Sequence, residues 1–294
     1  MVESKVSIVI SSLNRASQLG ELLTKINNLG PEIACRLTCY VCEQGEKLGI
    51  DARVFNNLTV KFISTTSRGI SLGRNACLDA LMLDEDIVLF LDDDATIDKE
   101  FFSRMSFYWK KYSKAGAISG RILDPSTGEE ISRYMNRKEG KLDLLDLDVV
   151  MSSCLTVDAE LIRKHRLRFD ERLGVGAFYG GSEESEFTYQ ILLLGKCVYY
   201  VPGLTIFHSK YRHEDFSTFE VKERSFSYGL GRGALLKKIL RREISRKTLQ
   251  FFLLNYVRPI LGLLYHSFRL NKSGQIFYWF TLKGRITGFI KFQN

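Results

Sequence analysis

Asp92, Asp93 and Asp94 stand in a row directly after the apolar run Ile87 to Leu91. Carboxylates packed this closely at the end of a buried strand repel one another, and the usual remedy is a hard divalent cation bound through oxygen. The alternative is an acidic turn capping a helix that starts near Asp98. Capping occupies one side chain and leaves its two neighbours without a role. Arg68, Arg74 and Asn75 surround the start of a helix expected over Leu72 to Leu83, whose free amides favour phosphate. An ordinary surface arginine is the competing reading there.

These residues need a frame. Val6 to Ser11 reads as a buried strand and Ser12 to Arg15 as a turn; Ala16 to Leu29 reads as an amphipathic helix with Leu19, Leu22, Leu23 and Ile26 on one stripe. Strands follow at Leu37 to Cys42, Thr59 to Ile63 and Ile87 to Leu91, with the helix Leu72 to Leu83 between the last two. Beyond the aspartates the expected order is a helix Lys99 to Tyr112, strand-like pieces Ala117 to Ile122 and Val149 to Val157, and a helix Ala159 to His165. A glycine-rich loop from Phe169 to Ser182 then opens a helix Glu183 to Leu194, and strands at Tyr199 to Val201 and Leu204 to Phe207 follow. Alternation of this kind with continuous apolar strands predicts an α/β fold, a mostly parallel sheet with helices on both faces. Ligands bind such sheets outside the carboxyl ends of the strands. That rule gathers Ser11, Ser12, Asn14 and Arg15 after the first strand, Glu43 and Gln44 after the second, and the aspartates after the fourth.

The 294 residues, 45% of them apolar, suffice for one large domain with an appendage. Six cysteines lack zinc-type spacing, and the single pair Cys39 and Cys42 falls inside a strand. Reduced core thiols in a cytoplasmic protein are the expectation, with no signal peptide before the first strand. Net charge is +8, but from Phe207 onward 17 Lys and Arg face 5 Asp and Glu, so the basic excess is confined to the tail. A chain-wide nucleic-acid footprint is excluded by that segregation, and no nucleic-acid partner is expected. The apolar stretch Leu249 to Phe268 approaches the length of a membrane span but contains Arg258 and Pro259. Helices lying on a bilayer surface are expected from Tyr228 on, with Phe277, Tyr278, Trp279 and Phe280 in a further segment; a packed helical appendage is the competing reading.

In order along the chain, SIVISSLNRASQLGELL, SRGISLGRNACLDAL, FLDDDATIDKEF, FDERLGVGAFYGGSEESEF and YYVPGLTIFHSKY resemble the family 2 glycosyltransferases of the GT-A fold. The resemblance covers most of the chain up to about Tyr211. The tail segments FSYGLGRGALLKK and LKGRITGF resemble the extension of bacterial members that build surface polysaccharide. The resemblance implies a Rossmann-like GT-A catalytic domain over 1–225 and a basic, apolar, membrane-associating helical extension over 226–294. It also implies inverting transfer of a sugar from a nucleoside-diphosphate sugar to a saccharide acceptor; Glu43 suits uracil or thymine, so a UDP-linked donor is expected, and the basic apolar tail makes a lipid-linked acceptor the expectation. The setting it implies is the inner face of the plasma membrane.

Site residues follow from the same resemblance. Asp94 is the first choice as direct ligand to Mn2+ or Mg2+, Asp92 touches ribose or metal, Asp93 belongs to the same donor site, and His208 is a further ligand whose imidazole favours manganese. Glu43, where an aspartate is commoner, would accept a hydrogen bond from the base, against the plain reading of a solvated loop glutamate. Arg74 and Asn75 match an Arg-Asn pair. Glu184 is the expected general base with Glu183 supporting, where a Glu-Asp pair is usual, and Glu186 resembles a structural acid one turn on. The plain alternative is a helix start enriched in acids for its dipole. Two other functions stay open at this point, a nucleotidyltransferase and a non-catalytic nucleotide-sugar-binding adaptor at the membrane surface. Donor and acceptor choice would reside in the loops Asp124 to Asp148 and Phe169 to Gly181.

Overall fold

The computed structural model describes residues 4–29, 35–211 and 216–293. Val6, Ile8, Val9 and Ile10 are all fully buried in strand β1 (Ser4–Leu13), as a strand covered on both faces requires. Helix α1 (Ala16–Leu29) buries Leu19, Leu22, Leu23 and Ile26, the stripe expected of it. The chain continues through β2 (Cys35–Gln44), β3 (Thr59–Thr65), α2 (Ile70–Asp79), β4 (Ile87–Asp92), β5 (Thr96–Ile97), α3 (Phe101–Lys111) and β6 (Ala115–Leu123). Then come β7 (Gly140–Leu142), β8 (Leu155–Asp158), α4 (Ala159–His165), α5 (Glu183–Leu193) and β9 (Cys197–Phe207). Three helices end the described chain: α6 (Thr218–Arg242), α7 (Arg246–Phe268) and α8 (Lys272–Lys291).

Among the described residues the sheet has nine strands in the order β3-β2-β1-β4-β8-β6-β9-β5, with β7 on β9. β3, β2, β1 and β4 run parallel, β8 is antiparallel to both β4 and β6, and β9 returns parallel to β6. Register sets Ser11 between Cys42 and Asp92, and Ser12 beside Glu43. The carboxyl ends of β1, β2 and β4 therefore finish level.

Several boundaries differ from expectation. Ser12 and Leu13 extend β1, and the turn is made at Asn14, whose φ of 56° ends the extended run. α2 starts earlier and stops at Asp79, because the Met82 amide donates to the Tyr40 hydroxyl and no longer to the helix. Between Val149 and Val157 only β8 is strand; Ser152–Cys154 is a tight helical turn. The two pieces expected near 199 and 204 form the single strand β9, opposite a register shift between Ser119 and Arg121. α3 begins after Glu100 with no side-chain cap, so the three aspartates do not cap it. None of the six cysteines is paired, and all but the half-buried Cys197 are buried.

The chain divides into two compact units. One holds the residues up to Phe169 with Phe187–Lys210, and the other holds Asp170–Glu186 with the residues from Tyr211 on. In the second unit α6 and α8 cross at backbone contact. A Cβ at Gly233 would lie 2.1 Å from the Arg285 carbonyl oxygen, and one at Gly288 would lie 2.1 Å from that of Leu230. Small residues four apart on each helix permit such an approach. Gly231 likewise meets the Gly181 backbone. α7 carries Pro259 within it, which removes the amide that would bond the Asn255 carbonyl. Arg285 of α8 donates to that same carbonyl. No helix among the described residues is long and apolar enough to cross a membrane.

Candidate functional site

In the first unit the site is built at the carboxyl edge of β1, β2 and β4. Thr96 of β5 pairs with Phe207 of β9, and the His208 amide donates to the Leu123 carbonyl at 2.9 Å, so the sheet itself carries His208 to the turn after β4. There His208 Nε2 lies 3.0 Å from Asp94 Oδ1. Its other nitrogen, Nδ1, lies 2.9 Å from the Ser209 carbonyl, so both ring nitrogens face acceptors and the pair favours a protonated imidazole; a cation taken up at Nε2 would replace the proton there while the Ser209 carbonyl keeps the one on Nδ1. The bond to His208 lowers the Asp94 pKa, and the same bond raises that of His208.

Asp93 turns the other way. It is 5% exposed, accepts from Ser12 Oγ at 2.7 Å and from Arg15 Nη1 at 3.0 Å, and is raised in pKa by its burial. Arg15 also reaches Asp94 Oδ2 at 2.9 Å. Asp92 is half-buried and accepts from Arg74 Nη2 at 3.1 Å. Three adjacent carboxylates thus have three environments, set by the alternation of the strand end and the turn.

Arg74 and Asn75 point into the fold. Arg74 is 1% exposed, donates to Ser152 Oγ at 2.9 Å as well as to Asp92, and stacks over the Phe169 ring at 5.4 Å. Asn75 exchanges two hydrogen bonds with the Phe169 backbone, both 2.9 Å. These two residues hold the aspartate and the chain at Phe169, while Arg68 is exposed. α2 approaches the strand ends because Gly73 has no side chain; a Cβ there would lie 2.2 Å from Ser11 Oγ. Asn14 accepts from the Glu46 amide at 3.2 Å and shapes the loop after β2. Glu43 is buried, not solvated, and accepts from the Leu48 amide at 2.9 Å and Ser64 Oγ at 3.2 Å.

Glu183 and Glu184 open α5, whose first four residues belong to the second unit. Ser182 precedes them with φ 67°, a conformation that costs a non-glycine residue energy. Glu183 is buried and Glu184 half-buried. Desolvation, and then the charge of Glu183, push the Glu184 pKa well above the carboxylate range, with Arg232 pulling back. The helix start favours the ionised form, so the burial effect is the larger. Glu186 is 2% exposed and meets Lys238 Nζ at 2.5 Å; the same ammonium reaches Asp170 Oδ2 at 2.9 Å. Arg172 completes this group on Asp170 at 2.7 Å.

The donor set fits a divalent cation of the magnesium or manganese type. One carboxylate oxygen and one imidazole nitrogen face each other, the imidazole is oriented by a carbonyl, and Asp92 keeps an oxygen uncommitted to Arg74. Among the described residues no three His, Cys, Asp or Glu side chains form a cage. Ions that take few protein ligands and complete their shell with water and phosphate oxygens suit this arrangement.

Sequence reasoning gathered Gln44 at the strand end without its role, and missed two further holding groups, Ser152 and Lys238. Gln44 clamps Gly69 in both directions, donating to its carbonyl at 2.7 Å and accepting from its amide at 3.0 Å. An amide side chain ending a strand ahead of a glycine turn was the available signal. Ser152 and Lys238 carried none, since their partners lie 78 and 52 residues away.

The family model described as Glycosyl transferase family 2 matches residues 7–165. No curated protein sequence matches the chain. The crystal structure of S. aureus TarS 1–349 matches with a TM-score of 0.62 at 14% identity, over 97% of this chain and 92% of that one. The same TarS fragment in complex with UDP-GlcNAc matches at 0.58, and in complex with UDP at 0.56, with the same identity and coverage. These likenesses establish the GT-A fold, a mixed α/β architecture around one large sheet. Together with a family match over more than half its length, that architecture makes this chain a glycosyltransferase, a member of glycosyl transferase family 2.

Proposed function

We propose that the protein transfers a sugar from a UDP-linked donor to a hydroxyl of a lipid-linked saccharide, inverting the anomeric carbon, in bacterial polysaccharide synthesis. The setting is the inner face of the plasma membrane, with the C-terminal helices associating with the lipid. One observation carries the proposal: in a chain of glycosyl transferase family 2, His208 and Asp94 face each other at 3.0 Å at the carboxyl edge of the sheet, with Asp92 two residues before. Asp94 is kept ionised by His208, and Glu184 is made hard to ionise by burial beside Glu183. Opposed shifts of this kind separate a charge-holding role from a base role.

In this reading Asp94 and His208, with Asp92 beside them, hold Mn2+ or Mg2+, which when bound neutralises charge on the departing diphosphate. Ser12 and Arg15 fix Asp93, and Arg74 fixes Asp92, so the carboxylates keep their directions as the donor enters. Ser11, Asn14 and Arg68 line the approach to the donor. A carboxylate has about four lone-pair sites, so Glu43 can accept from a uracil imide while keeping the Leu48 and Ser64 contacts. Glu184 takes the proton from the acceptor hydroxyl as it attacks the face opposite the diphosphate, and a raised pKa brings its basicity toward neutral pH. Glu183 supplies the like charge that helps raise it. A UDP-GlcNAc complex of TarS, a protein of the same fold, supports a UDP-linked donor.

Incubation with a panel of nucleotide sugars and Mn2+, followed for release of the nucleoside diphosphate, tests the proposal. Glu184→Gln is expected to lower turnover by about 10²–10⁴-fold while UDP still raises the melting temperature. Retained turnover removes Glu184 from the role. Release of pyrophosphate instead would identify a nucleotidyltransferase, and binding without release an adaptor.

A further inference from the structure

On α7 the buried and the exposed residues lie on opposite faces. Phe251, Asn255 and Pro259 are buried, and Gly262 packs under the Tyr278 ring of α8. The far face presents Leu249, Leu253, Val257, Ile260, Leu261 and Leu264, each between 41% and 61% exposed. They recur at every third or fourth position, so they form one continuous stripe. It runs into Phe268, 90% exposed, at the helix end. At about 1.5 Å per residue the stripe is roughly 28 Å long. Single exposed leucines are ordinary, but a contiguous row of this length is a contact surface.

Charge identifies what covers it. Exposed Arg246 and Lys247 stand at one end of α7 and exposed Arg269 and Lys272 just past the other. From Arg246 to the end of the chain there is no Asp or Glu. A second copy docking through the same stripe would set two acid-free basic rims against each other, which Coulomb repulsion opposes. An anionic surface with an apolar interior satisfies both halves of the pattern.

We infer that the outer face of α7 lies flat in one leaflet of an anionic bilayer, its leucine stripe at the acyl boundary and its terminal arginines and lysines among the headgroups. This rests on reading the C-terminal helices as membrane-associating, and names the helix, the face and the lipid class. Trp279, Lys283, Ile286 and Ile290 form an exposed row on α8 with the same composition. Arg285 is excluded from headgroup contact, because it serves the Asn255 carbonyl.

Flotation of the full chain with phosphatidylcholine vesicles, and with vesicles that also contain phosphatidylglycerol, tests the inference. The wild type is expected to float with the anionic vesicles and poorly with the neutral ones. Leu253→Glu with Leu261→Glu, and separately Arg269→Glu with Lys272→Glu, should each lower the bound fraction roughly tenfold or more. Melting temperature and release of UDP from a soluble donor should stay unchanged in both variants. No flotation of the wild type overturns the membrane reading itself. Flotation of the wild type with either variant unchanged, or equally with both vesicle types, overturns the assignment of this face to anionic lipid. A wild-type dimer in sedimentation that the leucine variant splits, without vesicle binding, assigns the face to a second copy. Flotation as expected without UDP release leaves the surface in place and removes the donor reading.

Discussion

A glutamate that is harder to ionise in the folded chain than in the unfolded one weakens the fold as pH rises. Glu184 is such a residue, since burial and Glu183 raise its folded pKa. Folding then takes up a proton between the unfolded pKa, about 4.3, and the raised folded value, and stability falls across that window. Glu184→Gln keeps the shape and removes the charge. Its melting temperature is expected to exceed the wild type's at alkaline pH, with the difference vanishing as pH approaches about 4. An equal offset at all pH values would mean the gain is packing and not charge. The same substitution should lower turnover, and the two outcomes together would mean that this position trades stability for reactivity. Nothing local foretold the burial of Glu184. Two acids after glycines at a helix start are equally consistent with a solvated first turn, and only the helices folded beside Gly181 decide between them.

At the scale of elements, the glycines of α6 and α8 have the opposite meaning from the glycine of α1. A Cβ added at Gly20 in α1 would meet nothing within 4 Å, whereas one at Gly233 or Gly288 would meet carbonyl oxygens of the partner helix. Gly20→Ala is expected to stabilise by about 0.5–1 kcal/mol through helix propensity. Gly233→Ala and Gly288→Ala should each destabilise by about 1–3 kcal/mol, because overpacking outweighs that propensity. Urea unfolding checks both, and a stabilising Gly288→Ala would mean the helices do not cross at contact. The segments FSYGLGRGALLKK and LKGRITGF, which in sequence read as a tail signature, are physically the two sides of this crossing. Their glycine spacing was legible, and their partnership was not, because small residues on a helix do not name the helix they meet. By contrast α1 was legible residue by residue and β1 in its apolar centre, since their burial follows directly from the apolar pattern.

Across the whole molecule the basic excess of the C-terminal segment divides into two uses. Some cations face solvent, while Lys238, joined by Arg172, is spent inside the second unit on Asp170 and Glu186. Burial alone would raise the Asp170 pKa, but Arg172 and Lys238 outweigh it and hold the carboxyl far below its usual range. A depressed folded pKa contributes stability that is complete above the unfolded value, about 3.9, and is lost as pH falls below it. Asp170→Asn should therefore lower the melting temperature at neutral pH and narrow its gap to the wild type in acid. A constant gap from neutral to acid pH would mean the carboxylate's charge is not what the site uses.

Local pattern carried the alternation of strands and helices, the stripe of α1, the acidic run at a strand's end and the segregation of charge, because each is a property of neighbours along the chain. Pairing lay beyond it. The antiparallel insertion of β8, the delivery of His208 to Asp94 through β5 and β9, the inward turn of Arg74, and the supply of Arg285 to the carbonyl that Pro259 leaves open all join residues distant in sequence. Periodicity states that a side chain is covered, and folding alone selects the group that covers it.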